Sequence, residues 1–113
     1  MKKASIEKII SQFIHALNEF DVHTALALFA DDAVIDDVSV GEKFKNTMGV
    51  RQYLEQFFVN YKTETRLESL EIHNDLHATA RVDFTGDFGH ETGALEVTLN
   101  QNGLIIAINA YLD

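Results

Sequence analysis

The first half of the chain repeats apolar positions at the spacing of helices. In residues 5–20, SIEKIISQFIHALNEF, isoleucine, leucine and phenylalanine fall on one broad face of a helix. Asp21 follows, and its carboxylate can cap a second, short helix, VHTALALF, by accepting a backbone N–H. The acidic pair Asp31–Asp32 would close that helix. The pattern therefore predicts two consecutive helices before residue 33.

Residues 34–40, VIDDVSV, interrupt this pattern with β-branched side chains, which favour a strand. The next residues, GEKFKN, are predicted to form a loop. Asn46 or Thr47 can then cap a third helix, MGVRQYLEQFFVNY, whose apolar side chains again share one face. We therefore expect one strand between the second and third helices.

From Lys62 onward, apolar residues alternate with polar ones, which is the period of a strand. NQNG, near the end, is a strong hairpin signal, and the interior glycines Gly86 and Gly93 indicate strongly curved strands. The predicted strands are RLESLEIH, LHATARVDFTGDF, ETGALEVTL and LIIAINAYL.

Helices followed by hairpin strands are typical of an α+β domain. We predict a curved antiparallel, or mixed, sheet with the three N-terminal helices on its concave face, a shape that can enclose a cone-shaped cavity. The length of 113 residues suits a single domain spanning 1–113. The apolar share of 46% is ordinary for a globular protein and argues against disorder.

The charge balance narrows the possible partners. A net charge of −9 argues against nucleic acid and anionic membrane surfaces, because both attract basic proteins. The chain has no cysteine and therefore neither disulfides nor a thiolate metal site. No apolar run approaches the length of a membrane span, and the start, MKKASIEKII, lacks the pattern of a signal peptide. We therefore expect a cytoplasmic protein that binds neither nucleic acid nor a membrane.

The five histidines give no metal signature. No pair has the helical spacing of a metal site, although His73 and His77 flank a predicted turn and could share a metal across a hairpin. Exposed turn histidines are the commoner interpretation of that pair. We predict no metal and no cofactor.

A cavity inside such a fold would be lined by part of the aromatic and aliphatic set. Our candidates for its wall are Phe13, Leu17, Tyr53, Phe57, Phe84, Leu95 and Ile108. The polar groups that could reach it are His15, Asp36, Tyr61 and His90. Such a wall favours a small, flat, apolar molecule as the partner.

Asp36 and Asp37 present a choice. Neighbouring strand residues point to opposite sides, so only one of the two can face the interior. Simple alternation groups Asp36 with Val34, Val38 and Val40, the more apolar set, and so favours Asp36 inside. Whichever carboxylate is buried needs partners, since burying an ionised group without them is costly.

Two segments, ALNEFDVHTALALFADDAVIDD and GVRQYLEQFF, together with the order of elements, resemble the NTF2-like superfamily. The chain looks closest to the SnoaL-like polyketide cyclases and the ketosteroid isomerases. This resemblance implies a cone-shaped, cystatin-like fold with a hydrophobic pocket. It does not identify a reaction, because the fold hosts isomerases, dehydratases, cyclases, epoxide hydrolases and non-catalytic domains.

The resemblance also implies roles for individual positions. The general-base aspartate of the isomerases falls on Asp37, and we follow the resemblance over simple alternation because a bulge can shift the alternation. The hydrogen-bond donors of the isomerases fall on Phe13, Leu54 and Leu95, which cannot donate. One such donor is worth about 10²–10³ in rate, so we expect no steroid isomerisation of the usual kind.

Three functions stay open. An isomerase, dehydratase or cyclase would use Asp37 to move a proton on a small apolar carbonyl compound, with Tyr53, His15 or a water in place of the missing donors. A non-catalytic module would hold an apolar metabolite in the same pocket. A dimerisation domain would have a filled core and no pocket.

The outer face of the sheet is predicted to carry Ile105, Ala107, Asn109 and Tyr111 from the last strand. Apolar groups on a face away from the helices need cover. Together with the resemblance, whose family commonly dimerises through this face, the pattern favours a homodimer through the outer sheet face.

Overall fold

Within residues 5–113, the fold consists of three helices and a six-stranded sheet. A computed structural model of the protein describes residues 5–113, and no helix among them is long and apolar enough to cross a membrane. The helices are α1 (Ile6–Asn18), α2 (Val22–Leu26) and α3 (Asn46–Leu54), and a π-helical turn (Glu55–Val59) continues α3. The strands are β1 (Phe29–Asp37), β2 (Glu42–Lys45), β3 (Glu64–Asn74), β4 (His77–Gly86), β5 (Gly89–Leu99) and β6 (Ile105–Leu112).

The apolar face predicted for the first helix is buried. α1 begins after Ser5, whose side chain accepts the Lys8 N–H at 3.2 Å. At its other end, the Asn18 amide donates to the Thr65 carbonyl at 2.8 Å and accepts the Thr65 N–H at 2.7 Å. These bonds fix α1 against β3. The buried side chains of α1 are Ile6, Ile9, Ile10, Phe13, Ile14, Ala16 and Leu17.

The second helix is shorter than the sequence pattern predicts. Asp21 caps α2 as expected, accepting the Thr24 N–H at 3.1 Å, but the helix ends at Leu26. The prediction that Asp31–Asp32 closes it is wrong, because both residues lie exposed within β1. The pairing of β1 with β6 is irregular over the same stretch, as in a β-bulge.

The sheet is mixed and curved, which confirms the predicted fold class. Its strand order is β2-β1-β6-β5-β4-β3, with β1 and β6 parallel and all other neighbours antiparallel. β2 lies in the segment GEKFKN, which was predicted as a loop. Gly93 lies where β5 and β6 approach closely, since a Cβ there would be 2.2 Å from the Tyr111 carbonyl oxygen. Only glycine fits such an approach.

Strand pairing decides which side chains face the core. Ile35 is opposite Phe44 in β2 and Ile108 in β6, and all three are buried. Asp37, two residues further on, points to the same side, and Asp36 points to the other. The pairing of β1 therefore brings the Asp37 carboxylate, and not that of Asp36, to the side of the core.

One residue of the last strand differs from the prediction. The register of β5 and β6 shifts so that Leu99 is opposite Ile105. Ile105 is fully buried in the core instead of lying on the outer face. Ala107 pairs with Thr98, and Tyr111 pairs with Ala94. Both remain on the outer face of the sheet and are half-buried.

Candidate functional site

An open cavity of about 370 Å³ lies where the end of β1, the π-helical turn and the β4–β5 hairpin meet. This volume is at the lower end of small-molecule sites. Its wall combines aromatic and aliphatic side chains with a few polar ones. The lining residues are Asp37, Ser39, Val40, Tyr53, Phe57, Phe58, Tyr61, Thr63, Phe84, Phe88, Glu91 and Leu112.

Aromatic rings form a continuous part of this wall. Tyr53 contacts Phe57 with 4.9 Å between ring centroids, and Tyr61 contacts Phe88 at 6.0 Å. Phe57 and Tyr61, at 6.3 Å, join the two pairs. These separations are those of favourable aromatic pairs. A molecule in the cavity would therefore meet several ring faces and edges held in place by their neighbours.

The π-helical turn brings two adjacent phenylalanines to the same cavity. The Asn60 N–H donates to the Glu55 carbonyl at 2.9 Å, five residues back, so the turn contains one more residue than an α-helical turn. Phe57 and Phe58 lie in this turn and both line the cavity. Such turns are frequent at functional sites.

Asp37 is the most buried ionisable group of the wall, with 6% of its surface exposed. The Tyr53 hydroxyl donates to its Oδ2 at 2.6 Å, and the Ser39 N–H donates to its Oδ1 at 2.9 Å. The Ser39 hydroxyl donates to the same Oδ1. Three donors therefore replace the water molecules that the carboxylate loses on burial, and they offset the desolvation free energy of burying it.

Tyr53 is held in its neutral form by its surroundings. Burial raises the pKa of the Tyr53 phenol well above its ordinary value, and the charge of Asp37 and the hydrogen bond to it raise the pKa further. At neutral pH the phenol is therefore protonated and donates to Asp37. Tyr53 comes from α3, and Asp37 from the end of β1, so the pair joins these two elements.

The apolar residues predicted for the wall divide into two groups. The structure places Tyr53, Phe57 and Phe84 on the cavity wall. It places Phe13, Leu17, Leu95 and Ile108 in the hydrophobic core, outside the set that lines the cavity. Leu54 is also buried in the core, so the three positions onto which the resemblance maps the isomerase donors are apolar and enclosed.

Of the polar groups predicted to reach the cavity, Tyr61 lines it. His15 is exposed on α1, and Asp36 is half-buried on the other side of β1. His90 lies in a second, polar depression, where its Nε2 is 2.8 Å from Asp83 Oδ1. The structure brings together Asp37, Tyr53 and Tyr61, and it leaves His15, Asp36 and His90 outside this cavity.

Sequence reasoning missed several wall residues, of which Ser39 and Glu91 bear on the chemistry. Glu91 precedes Gly93 and Leu95 by one and two strand periods, so extending that alternation backward would have placed it on the inner side of β5. Ser39 follows β1, and a serine two residues after an aspartate is a known local partner for its side chain. The other missed wall residues are Val40, Phe58, Thr63, Phe88 and Leu112.

A metal centre does not form among the described residues. Within residues 5–113, no group of three or more histidine, aspartate and glutamate side chains is placed to hold a metal ion. His73 and His77 lie side by side with 5.0 Å between ring centroids, and His73 Nε2 is 2.8 Å from the Thr79 hydroxyl. His73 Nδ1 also lies 3.6 Å from Glu71 Oε1, but in the described part of the chain this carboxylate and the two histidines are not placed to hold a metal ion.

The sequence model of the SnoaL-like domain family matches residues 10–105. The sequence has no significant match among curated proteins.

Three solved structures illustrate the likeness in fold. Rv0760c from Mycobacterium tuberculosis, in complex with estradiol-17β-hemisuccinate, is 19% identical with a TM-score of 0.86, covering 97% of this chain and 95% of that one. A computationally designed 17-OHP binder is 16% identical with a TM-score of 0.85, covering 99% and 93%. The epoxide hydrolase/cyclase-like enzyme SalBIII, of pyran ring formation in the polyether salinomycin, is 15% identical with a TM-score of 0.83, covering 95% and 89%. At these identities the likeness establishes the fold alone.

Proposed function

Because the chain belongs to the SnoaL-like domain family, we propose that it binds a small apolar molecule in the aromatic cavity and moves a proton on it, with Asp37 as the general base. The observation that carries this proposal is a buried carboxylate at the wall of an aromatic cavity, fixed by Tyr53 and Ser39. Among proteins of this fold, Rv0760c forms a complex with a steroid derivative and SalBIII acts in pyran ring formation, which supports a ligand with an apolar ring body.

The hydrogen bonds of Asp37 leave room for the proposed step. An ionised carboxylate has about four lone-pair sites, and Tyr53 and Ser39 occupy three of them with their donors. The fourth site is available to take a proton from carbon next to a substrate carbonyl. Tyr53 and Ser39 then act as positioning residues, since they hold the carboxylate at the wall.

A carbonyl substrate also needs a donor for the negative charge that develops on its oxygen. The hydroxyls of Ser39 and Tyr53 donate to Asp37, and that of Thr63 donates to the Phe57 carbonyl at 2.6 Å. Among the described residues, the Tyr61 hydroxyl is the one on the cavity wall without a protein acceptor. We assign it the role of that donor.

The experiment measures deuterium exchange into a panel of enolisable cyclic ketones by NMR. General-base catalysis contributes about 10²–10⁴ in rate, so Asp37→Asn is expected to lose exchange by that factor while still binding the ketones. Asp36→Asn is the matched control, because it makes the same change on the other side of β1 and should exchange at the wild-type rate. Equal exchange by wild type and Asp37→Asn would contradict the general-base role.

A second candidate is a binding module without catalysis. It is favoured by the apolar residues Phe13, Leu54 and Leu95 at the positions of the isomerase donors. In that case the ketones bind, and neither the wild type nor any variant exchanges them. The same experiment therefore separates the two functions.

We further propose that the chain forms a homodimer through the outer face of its sheet. Ala107 and Tyr111 lie on this face of β6, and the neighbouring Ala94 of β5 is fully buried beneath them. Small and half-buried side chains at the centre of a sheet face allow a second sheet to approach closely.

A further inference from the structure

The charged groups of the cavity wall are both acidic. They are Asp37 and Glu91, and among residues 5–113 no lysine, arginine or histidine lines the cavity. The protein as a whole carries a net charge of −9, so the surrounding field also favours cations. These charges would attract a cationic group on a ligand and repel an anionic one.

Glu91 is the carboxylate at the outer part of the cavity. It lies near the start of β5, opposite Phe84 of β4, and is exposed. Among the residues that the structure describes, its carboxylate accepts no hydrogen bond and forms no ion pair. Two other aspartates of this part of the sheet are paired, since Asp83 of β4 lies 2.8 Å from His90, and Asp113, just after β6, accepts two hydrogen bonds from Arg81. Glu91 therefore differs from them in having its charge available to a ligand.

Aromatic rings surround the same opening. Tyr61 and Phe88 pack edge to face at 6.0 Å and are 40% and 41% exposed. The faces of such rings attract cations, and aromatic walls with a carboxylate are the usual recognition site for alkylated ammonium groups. A single exposed glutamate would be an ordinary surface charge, but here it lines a cavity with six aromatic rings.

We propose that the ligand is an organic cation, an apolar molecule that carries an alkylated ammonium group. The ammonium lies at the opening beside Glu91, Tyr61 and Phe88, and the apolar body lies against the inner rings. This inference rests on the proposed binding function of the cavity. It leaves Asp37, further in, to act on the body of the ligand.

The test compares two probes of the same shape, benzyl(2-hydroxyethyl)dimethylammonium and its carbon isostere 3,3-dimethyl-4-phenylbutan-1-ol, by titration calorimetry. A cation–π contact together with a partly exposed ion pair corresponds to about tenfold in affinity, so the ammonium probe is expected to bind about tenfold more tightly. Added sodium chloride should reduce that preference, because the charge of Glu91 is accessible to solvent.

Glu91→Gln should remove several-fold of the affinity for the ammonium probe and leave the neutral probe unchanged. Glu19→Gln is the matched control, since it makes the same change in net charge at an exposed position just after α1 and outside the cavity wall, and it should bind both probes as the wild type does. Equal binding of the two probes, binding of neither, or an equal effect of the two variants would overturn the proposal. Because the ketone-exchange experiment uses neutral compounds, its outcome is independent, and either proposal can fail alone.

Discussion

At the scale of single residues, the choice between Asp36 and Asp37 shows what alternation can and cannot predict. Counting apolar neighbours favoured Asp36, because Val38 and Val40 were included in its set. In the structure β1 ends at Asp37 and Val38 is 64% exposed. Val38 therefore does not indicate which side of β1 faces the core. The partner of Asp37, Tyr53, is sixteen residues away on another element. No local pattern contains such a contact.

Tyr53→Phe is the prediction for this pair. At neutral pH it leaves the buried Asp37 carboxylate with one donor fewer, which should lower the free energy of unfolding by about 1–3 kcal/mol. In the wild type the folded state binds the phenol proton more tightly than the unfolded chain does. This tighter binding of the proton stabilises the folded state in full below about pH 10, the ordinary pKa of tyrosine. The stabilisation is lost as the pH rises toward the raised pKa of Tyr53 in the folded state.

The measurement is urea unfolding at neutral and at alkaline pH. The difference in stability between wild type and Tyr53→Phe should shrink as the pH rises above about 10. Tyr61→Phe, which removes an exposed hydroxyl and keeps Tyr53, should retain the full alkaline loss of the wild type. A constant difference between wild type and Tyr53→Phe at all pH values would show that the phenol proton is not coupled to folding.

At the scale of elements, strong periodicity was predictive and short or irregular segments were not. α1 and the long strands of the second half agree with their apolar patterns. β2 was missed, because four residues with one buried side chain, Phe44, are too few to show a period. Ile105 was assigned to the wrong side because the shift opposite Leu99 inverts the alternation. The existence of β2 and the side of the sheet on which Ile105 lies both depend on pairing with other strands of the sheet.

Gly93→Ala is the prediction at this scale. The added methyl group would lie 2.2 Å from the Tyr111 carbonyl oxygen and 3.0 Å from the Leu112 Cα, both in β6, so the two strands must separate. We expect the free energy of unfolding to fall by about 1–3 kcal/mol, the usual cost of overpacking.

Gly41→Ala is the comparison for this variant. Gly41 has a φ of +71° but open space around it, so alanine there should cost only about 1–2 kcal/mol of conformational energy and should leave the sheet intact. The two variants are compared by urea unfolding and by ketone binding. Leu112 is also part of the cavity wall, so separating the two strands at Gly93 should weaken ketone binding. Unchanged ketone affinity in Gly93→Ala would show that the close approach of the strands is not strictly required.

At the scale of the whole molecule, the fold class was accessible from the order of the elements, whereas the extent of the cavity was not. Phe13, Leu17, Leu95 and Ile108 were expected on its wall, and all four fill the core. A pattern of apolar residues distinguishes inside from outside, but it cannot tell a filled interior from an open one. That distinction depends on how side chains from distant elements pack together.

The proposed dimer gives the prediction at this scale. The wild type should elute with the mass of a dimer in size-exclusion chromatography with light scattering. Ala107→Glu places an unpaired charge in the centre of the proposed interface and should yield a monomer that still unfolds cooperatively. Ser11→Glu, on the exposed side of α1, should remain a dimer. A monomeric wild type would refute this assembly.

The parallel pairing of β1 with β6 affects the order in which the protein folds during its synthesis. It joins residues about 70 positions apart, such as Ile35 and Ile108, whereas β3 to β6 follow one another as neighbours. Contacts between distant segments form slowly, because a large loop must close first. During synthesis, β1 gains its main neighbour only after β6 has left the ribosome. The wall containing Asp37 is therefore among the last parts of the nascent protein to assemble.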